Sequence, residues 1–450
     1  MLVLAIIGAG GVFTGTNPSY TQFELSHHIK TAKAKFLISE PEILMPLLVA
    51  ARENNISLSN IWIFDVLGQE APAGMRSWRE LLAHGEEDWV RFDDLKTSKE
   101  TTAARLFSSG TTGLPKAAVI SHYNLVAQHE AAWEAYPRPY QVSRIMAMPV
   151  FHAAAVPSTH FSALKIGMIT YMMRRFDLEQ FLINIEKFNV TDITVVPPMV
   201  IAIIMSPLTQ KRNFLKRVKW AACGAAPLDK QTQARFHSLL NEEVPFTQAW
   251  GMTELTCTGA IFPYTEHDDT GSVGRLIPNL EAKLIDDDAN NISAYGVLGE
   301  LWVRGPTVIS GCFENETANA ESFDADGWFK TGDIAYCEEG SRKWYIVDRK
   351  KELIKVRGFQ VAPSELEAVL LSHPLIVDAA VIGPGEEGQR LTEDDVKKFL
   401  AGRLAKYKAL EGGVKFVDAI PNSPSGKILK RILREEARKE IEARAVKAAL

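Results

Sequence analysis

The stretch over residues 106–116, which reads LFSSGTTGLPK, constrains this chain more than any other. An apolar strand end runs into small residues, and Gly110 and Gly113 can adopt backbone conformations that are closed to other residues. The N–H groups of such a segment can turn towards one anion, and Lys116 adds a positive charge at its end. Further donors are the hydroxyls of Ser108, Ser109, Thr111 and Thr112. The sequence therefore predicts a polyphosphate-binding loop, the alternative being a flexible surface turn.

Several classes of protein are excluded or disfavoured. A Walker loop ends in Gly-Lys-Ser/Thr, whereas this stretch ends in Pro115-Lys116-Ala117. The net charge of -5 gives no reason to expect nucleic acid or an acidic membrane as a partner. No run reaches the roughly 18 apolar residues of a transmembrane helix. The four cysteines are too far apart for a metal knuckle or a disulfide framework, which fits a reducing, intracellular setting.

The chain has the alternating pattern of an α/β fold. Strand-length apolar runs, among them KFLIS, AAVIS, DITVVPP and VKWAACG, are separated by helical stretches around 122–136, 177–188 and 228–241. This pattern predicts helix-covered parallel sheets with ligands at the carboxyl ends of the strands. From residue 272 onward, short strands and turns indicate a small β-rich subdomain. The first residues, MLVLAIIGAGGVF, read as the end of a buried helix entering a Gly-rich turn, because a signal peptide's basic region is missing.

Four further clusters carry chemistry, each with a structural alternative. The small residues of 222–228 could border a crevice for a flat ring, or form a tight packing turn. Thr253 and Glu254 suit phosphate and Mg²⁺, although a carboxylate at a helix start is the commoner use. Asp333 follows a glycine and suits a sugar diol, or an ordinary turn. Lys427 lies in a loop rich in Gly, Ser and Pro, where the alternative is a solvated surface lysine.

Taken in order, the motifs SSGTTGLPK, GAAPL, QAWGMTE, WFKTGD, YIVDRKKELIKVRGFQVAPSELE and PNSPSGKILKR resemble the adenylate-forming superfamily, and most closely 4-coumarate:CoA ligase-like acyl-CoA synthetases. The resemblance covers practically the whole chain. It implies a large N-terminal AMP-binding domain over residues 1–347, a hinge over 348–351 and a small α+β C-terminal domain over 352–450. The implied activity is ATP-dependent: a carboxylic acid becomes an acyl-AMP with release of pyrophosphate, and coenzyme A then takes the acyl group. The implied cofactors are ATP, Mg²⁺ and coenzyme A.

The resemblance also implies roles for individual residues. Lys427 would bridge the substrate carboxylate and the α-phosphate, Thr253 would contact that phosphate, and Glu254 would hold the magnesium. His152 would lie against the acyl group, although a structural histidine is the alternative. The residues expected to bind ATP or coenzyme A are Ser108, Ser109, Gly110, Thr111, Thr112, Gly113, Lys116, Gly224, Ala225, Ala226, Gln248, Thr253, Asp333, Arg349, Lys351, Lys355, Arg175, Arg357 and Gly358.

Within that set, the loop up to Lys116 would hold the β- and γ-phosphates, and residues 224–226 would pack against adenine. Asp333 would bind the ribose hydroxyls with the help of Arg349. A rotation at the hinge would exchange Lys427 for the strand of residues 355–358, where a side chain at position 358 would narrow the pantetheine tunnel. Arg175 and Arg357 occupy positions at which related ligases contact coenzyme A.

The acyl pocket is predicted to be reshaped. Ala154 and Ala222 stand where phenylpropanoid-specific relatives tend to carry larger residues, and Ala249 replaces a glycine. This pattern indicates a medium-chain or bulky acyl group.

Two departures from the family pattern lead us to expect a truncated or mis-spliced gene model. Relatives carry a further segment before the part that matches GGVFTGTNPSY. They also carry another strand between DAAVIG and PGEEGQRLTEDDVKKFL, so we expect an internal deletion near 383–385. Lost strands would expose sheet edges.

Two alternatives therefore stay open. One is an adenylating enzyme with a carrier-protein or other acceptor, and the other is a non-catalytic remnant. The expected partner is a small-molecule carboxylic acid, and the sequence does not indicate an oligomeric state. Because the chain ends in KAAL rather than in the peroxisomal Ser-Lys-Leu signal, we expect a cytosolic location.

Overall fold

A computed structural model describes residues 2–108 and 115–350 continuously. Beyond them it describes residues 354–356, 359–361, 363, 366–367, 370, 376, 379–381, 393–401, 410, 413–417, 419–421, 428–430, 432–437 and 439. The predicted junction at 383–385 lies outside the described residues.

The N-terminal part forms a small three-stranded parallel sheet with flanking helices. Its elements are α1 (Leu2–Gly8), α2 (Gln22–Ala32), β1 (Leu37–Ser39), α3 (Leu44–Glu53), β2 (Ile61–Ile63), β3 (Arg76–Ser77) and α4 (Leu95–Glu100). The predicted buried helix is confirmed, because Val3 and Ile7 of α1 are buried and Gly10 turns the chain with φ +78°. Helix α2 begins with a capping box, in which Thr21 and Glu24 bond each other's backbone N–H groups.

An antiparallel hairpin flanks the predicted phosphate loop. Its strands are β4 (Thr102–Ser108) and β5 (Lys116–Ser121), and their last paired residues are Ser108 and Lys116. Helix α5 (His122–His129) follows and is capped by Ser121. The helix predicted over 122–136 is confirmed, with a π-helical turn (Glu130–Glu134) as its last part.

A five-stranded parallel sheet forms the centre, in the order β10-β9-β8-β6-β7. Its elements are β6 (Ser143–Met146), α6 (Ala163–Lys165), β7 (Ile169–Met172), α7 (Leu178–Lys187), β8 (Asp192–Val195), α8 (Pro197–Met205), α9 (Pro207–Lys211), β9 (Trp220–Cys223), α10 (Lys230–His237) and β10 (Phe246–Gln248). Every residue of β6 and β9 is buried; β9 reads as a continuous apolar run in the sequence, whereas β6 buries Ser143 and Arg144 beside its apolar residues. The strand order reverses between β6 and β8, which makes the carboxyl ends of these two strands the expected ligand site.

The β-rich subdomain predicted from residue 272 onward is confirmed, but its strands begin earlier, at residue 250. Two antiparallel sheets are formed by β11 (Trp250–Gly251), β12 (Thr258–Ile261), β13 (Arg275–Leu276), β14 (Glu281–Ile285), β15 (Gly299–Arg304), β16 (Phe329–Cys337) and β17 (Trp344–Arg349), with α11 (Glu316–Ser322) between β15 and β16. Strand β16 alternates buried and half-buried residues, as one buried face requires. Because β17 runs to Arg349, the first two residues of the predicted hinge, Asp348 and Arg349, belong to a strand.

The described C-terminal elements are an antiparallel pair of strands and a helix, namely β18 (Ile354–Val356), β19 (Phe359–Val361) and α12 (Glu393–Ala401). A separate apolar cluster joins Leu366, Leu370, Ala379, Val381 and Val396. In the part of the chain that the structure describes, no helix combines the length and the apolar character needed to cross a membrane.

Candidate active site

A cavity of about 420 Å³ lies where the parallel sheet, the β4–β5 hairpin and the β-rich subdomain meet. Met148 and Val195 border it at the carboxyl ends of β6 and β8, which is the position that the strand order predicts. The cavity brings together residues that are far apart in the sequence. The predicted site residues that line it are Ser108, Lys116, His152, Gly224, Ala225, Thr253, Glu254 and Arg349.

Lys116 and Glu254 place opposite charges on the same part of the cavity wall. Burial raises the pKa of the Cys312 thiol, Glu254 adds to the rise, and Lys116 opposes it. Both charges therefore lie close enough to Cys312 to act on it. Neither Lys116 nor Glu254 forms an ion pair with another residue of the described chain, so both are available to a ligand.

Glu254 is the candidate metal ligand. The described residues contain no group of three His, Cys, Asp or Glu side chains that could hold an ion. Mg²⁺ fits such a site, because it commonly binds through one or two carboxylates together with substrate phosphates and water. A dedicated all-protein cage for a transition metal does not fit it.

The segment that carries Thr253 and Glu254 is held in a tight turn. Both residues belong to a short 3-10 helix, Thr253–Leu255, and the Met252 N–H donates to the Cys257 carbonyl over 2.9 Å. A Cβ atom on Gly251 would lie 2.8 Å from the Cys257 carbonyl carbon and closer still to its oxygen. Only glycine therefore fits at position 251.

His152 faces the cavity as a neutral ring. Burial lowers the pKa of His152. The Ala154 N–H donates to Nδ1 over 3.1 Å, which places the proton of the neutral ring on Nε2. The Ala154 carbonyl in turn accepts from the Cys257 thiol over 3.7 Å, so the backbone of Ala154 bonds both His152 and Cys257.

Asp333 is buried and holds two residues of the cavity wall. Its Oδ1 lies 2.6 Å from Arg349 Nε, and the Trp250 indole N–H donates to its Oδ2 over 2.8 Å. The pairing of β16 with β17 puts Asp333 directly opposite Arg349. Asp333 is not among the described residues that line the cavity, whereas Trp250 and Arg349 are. A carboxylate has about four lone-pair directions, so acceptor capacity remains.

The turn after β9 is held by hydrogen bonds to neighbouring strands. Gly224 donates its N–H to the Val195 carbonyl over 3.2 Å, and Ala225 has a left-handed φ of +73°, which is strained for a residue other than glycine. The Gln248 amide exchanges two hydrogen bonds with the Leu228 backbone, of 2.9 and 2.8 Å. Gln248 thus supports this turn, and neither it nor Ala226 is among the described residues that line the cavity.

The remaining predicted residues are not brought to the cavity by the described structure. Arg175 is exposed, beyond β7, and is not among the described lining residues. Lys355 is described only as a backbone position of β18. Those that lie outside the described residues are Ser109, Gly110, Thr111, Thr112, Gly113, Lys351, Arg357, Gly358 and Lys427.

Several lining residues were missed by the sequence reasoning, among them Gly251, Cys257, Cys312 and Asn319. Gly251 lies inside the quoted motif QAWGMTE, so its position was a usable signal. The two cysteines gave none, because only the fold brings them to the same cavity.

Comparison with known proteins agrees with this architecture. The chain matches the family model of AMP-binding enzymes over residues 1–313 and the AMP-binding enzyme C-terminal domain over residues 365–427. The phenylacetyl-CoA ligase epaB of Aspergillus niger is 51% identical over 97% of this chain and 84% of its own length. The acyl-CoA ligase azaF, from another strain of that species, is 50% identical over 96% of this chain and 85% of its own length.

The fold has a solved counterpart. The crystal structure of ATP-bound MatB from Rhodopseudomonas palustris superposes with a TM-score of 0.82 at 26% identity, over 97% of this chain and 85% of MatB. The expected α/β architecture, with a large N-terminal and a small C-terminal domain, is confirmed. The chain therefore belongs to the AMP-binding enzyme family, among its acyl-CoA ligases.

Proposed function

We propose that this ligase binds MgATP and the acid together in the 420 Å³ cavity. Lys116 contacts the β- and γ-phosphates, Thr253 contacts the α-phosphate, and Glu254 holds Mg²⁺, which would neutralise phosphate charge. The observation that supports the proposal is the convergence of Lys116, Glu254 and Arg349 from three separate elements on one cavity. Such fixed charges, set before the reaction begins, favour a transition state that gathers negative charge.

The nucleoside part is proposed to lie against the turn after β9 and against β16. Adenine packs on Gly224, Ala225 and Ala226, where small side chains leave room for a flat ring. The ribose hydroxyls donate to Asp333, whose carboxylate is already oriented by Trp250 and Arg349.

The chemistry then follows in two steps. A carboxylate oxygen of the acid attacks the α-phosphorus, a new P–O bond forms, and pyrophosphate leaves. The thiol sulfur of coenzyme A next attacks the acyl carbon and loses its proton, and AMP leaves. The predicted roles of the remaining residues stay proposals. They are the roles of Lys427, Lys351, Arg357 and Gly358, the binding of coenzyme A by Arg175 and Lys355, and the binding of the phosphates by loop residues 109–113.

The domain boundaries stay a proposal. The ion pairs at the end of β17 narrow the position at which the hinge could rotate. Arg349 is paired with Asp333, and Lys350 Nζ lies 3.1 Å from Glu300 and 3.2 Å from Asp287. Both hinge residues are therefore anchored to the large domain. A rotation within the predicted hinge 348–351 would pivot at Lys351 or beyond.

We propose an uncharged, mainly apolar acyl group. Ala153, Ala154 and Val196 line the cavity together with His152, and the neutral His152 offers no charge to a second carboxylate. The half-identical relative named as a phenylacetyl-CoA ligase makes arylacetic acids the first to test. That name, and the azaF ligase, also support coenzyme A as the acceptor over a carrier-protein thiol.

The test is an ATP–pyrophosphate exchange screen with phenylacetic, other aromatic, medium-chain and long-chain acids, with malonic acid as the dicarboxylate control. Product formation with coenzyme A is then followed by mass spectrometry. We expect exchange with the apolar monocarboxylic acids and a CoA thioester as product. A preference for malonic acid would contradict the proposed acyl class.

The cytosolic location also stays a proposal, which cell fractionation tests.

A further inference from the structure

We propose that His27 is a positioning residue that holds the backbone from which Lys116 extends into the cavity. The proposal rests on the proposed function, in which Lys116 binds phosphates of ATP. His27 itself is not among the described residues that line the cavity, so it acts through Lys116 rather than on the substrate.

The contact that carries the proposal joins residues 88 positions apart in the sequence. His27 Nε2 lies 2.9 Å from the carbonyl oxygen of Pro115. A carbonyl only accepts, so Nε2 carries a proton and donates. The last described pair of the β4–β5 ladder is Ser108 and Lys116, and the Pro115 carbonyl belongs to the peptide bond directly before Lys116. His27 thus supplies a hydrogen-bond donor to that peptide bond.

The neighbouring His28 fixes α2 against the other strand of the hairpin. Its ring stacks on Phe107 with centroids 3.8 Å apart. The Thr14 hydroxyl gives its proton to the Arg105 carbonyl over 2.8 Å, and therefore accepts from His28 Nε2, also over 2.8 Å. Burial lowers the pKa of His28 to about 3, so this neutral donor form persists. Helix α2 is therefore anchored to β4.

Because α2 is anchored in this way, the hydrogen bond from His27 can restrain the position of β5. Because α2 is fixed to β4, the bond from His27 to Pro115 fixes β5 relative to β4 at the point where the hairpin reaches the cavity. The His27 ring also meets Phe107 edge-on, with centroids 6.4 Å apart. Without the donor, the Pro115–Lys116 peptide loses the hydrogen bond that joins it to α2, and the Lys116 ammonium is less well directed towards the phosphates.

The test distinguishes the contribution of the His27 hydrogen bond from that of its aromatic ring. His27→Phe keeps an aromatic ring against Phe107 and removes the donor, whereas His27→Gln places an amide N–H near the position of Nε2. Steady-state ATP–pyrophosphate exchange is measured for both, together with thioester formation from supplied acyl-AMP and coenzyme A. A matched control is His84→Phe, since His84 is exposed and not among the residues that line the cavity.

We expect His27→Phe to raise KM for ATP about five- to tenfold, which is the loss of one hydrogen bond. His27→Gln and His84→Phe should stay within about twofold of the native value. Thioester formation from acyl-AMP should not change, because no triphosphate takes part in it. A fall in both half-reactions together with a lower Tm would show a merely structural role and overturn the proposal, as would an unchanged KM.

Lys116→Met tells the two proposals apart. If this variant leaves KM for ATP unchanged, the proposed role of Lys116 fails, and the inference fails with it. If Lys116→Met raises KM but His27→Phe does not, only the inference fails. In the Lys116→Met background, His27→Phe should have no further effect, since residues that act as one unit are not additive. Should His27→Phe not fold, His27→Asn, whose shorter amide does not reach Pro115, takes its place in every comparison.

Discussion

Replacing Gly251 by alanine should disable the first half-reaction while the sheets remain folded. Gly251 borders the cavity directly before the segment that carries Thr253 and Glu254. The added Cβ would lie 2.8 Å from the Cys257 carbonyl carbon and 3.0 Å from the Thr258 Cα. Both are backbone atoms, so no side-chain rotation can relieve the clash.

The expected magnitude follows from the displacement that relief requires. The two strands must separate by roughly 1 Å, and a misplacement of that size in an active site can reduce the rate about 100-fold. The separation also breaks the 2.9 Å hydrogen bond from the Met252 N–H to the Cys257 carbonyl, which closes the turn. We therefore expect Gly251→Ala to lower kcat/KM for ATP–pyrophosphate exchange by about two orders of magnitude.

The control is Gly340→Ala, in the turn between β16 and β17. Gly340 has a positive φ, of +82°, which Gly251 does not have, and no atom lies within 4 Å of an added Cβ. This variant therefore carries the backbone strain of a Gly→Ala change without a clash and should exchange pyrophosphate at the native rate. Circular dichroism and gel filtration confirm that both variants are folded. A folded Gly251→Ala enzyme within threefold of the native kcat/KM would refute the reasoning.

Three further outcomes are expected. Glu254→Gln should raise the Mg²⁺ concentration for half-maximal exchange about 10- to 100-fold, and an unchanged Mg²⁺ titration would contradict its assignment. Asp333→Asn should raise KM for ATP about tenfold, because Arg349 and Trp250 lose a charged acceptor. A variant whose KM for ATP equals that of the native enzyme would exclude a role of Asp333 in binding ATP. His28 binds a proton below about pH 6.5 when unfolded but only near pH 3 when folded, so its contribution to stability is present above pH 6.5 and lost as the pH falls. That loss should reach about 2 kcal/mol between pH 7.5 and pH 5, and His28→Gln should flatten the dependence of Tm on pH over that range.

The predictions from sequence succeeded where a local pattern determines the structure. Strands β6, β8 and β9 lie in the central sheet, and each overlaps a mainly apolar stretch that stands out against the helices between them. The turn after β9 was placed correctly because small residues followed such a run. Residues Thr253 and Glu254 were assigned to a strand end for the same reason, and the cavity contains both.

The predictions missed what only tertiary contact decides. An apolar run does not encode strand direction, so the antiparallel pairing of β4 with β5 was not foreseen. The contact between Asp333 and the Trp250 indole spans 83 residues, and nothing local to either residue indicates it. Gln248 is predicted to bind nucleotide because it stands in a motif, and that role stays a prediction; its amide also bonds the Leu228 backbone, which the motif did not indicate. Membership of a motif therefore does not distinguish a ligand contact from the support of one.

Supporting contacts of this kind orient side chains of the cavity wall before any ligand enters. Two charged groups of the wall are held by neighbouring residues: Arg349 by the buried Asp333, and Lys116, as we propose, by the hydrogen bond from His27 to the peptide before it. Glu254 lies on a turn that only glycine at position 251 permits. Preorganised charges need no reorganisation when the phosphates arrive, so their stabilisation is available to the transition state. Substitutions of the supporting residues should therefore impair adenylation as specifically as substitutions of the charged groups themselves.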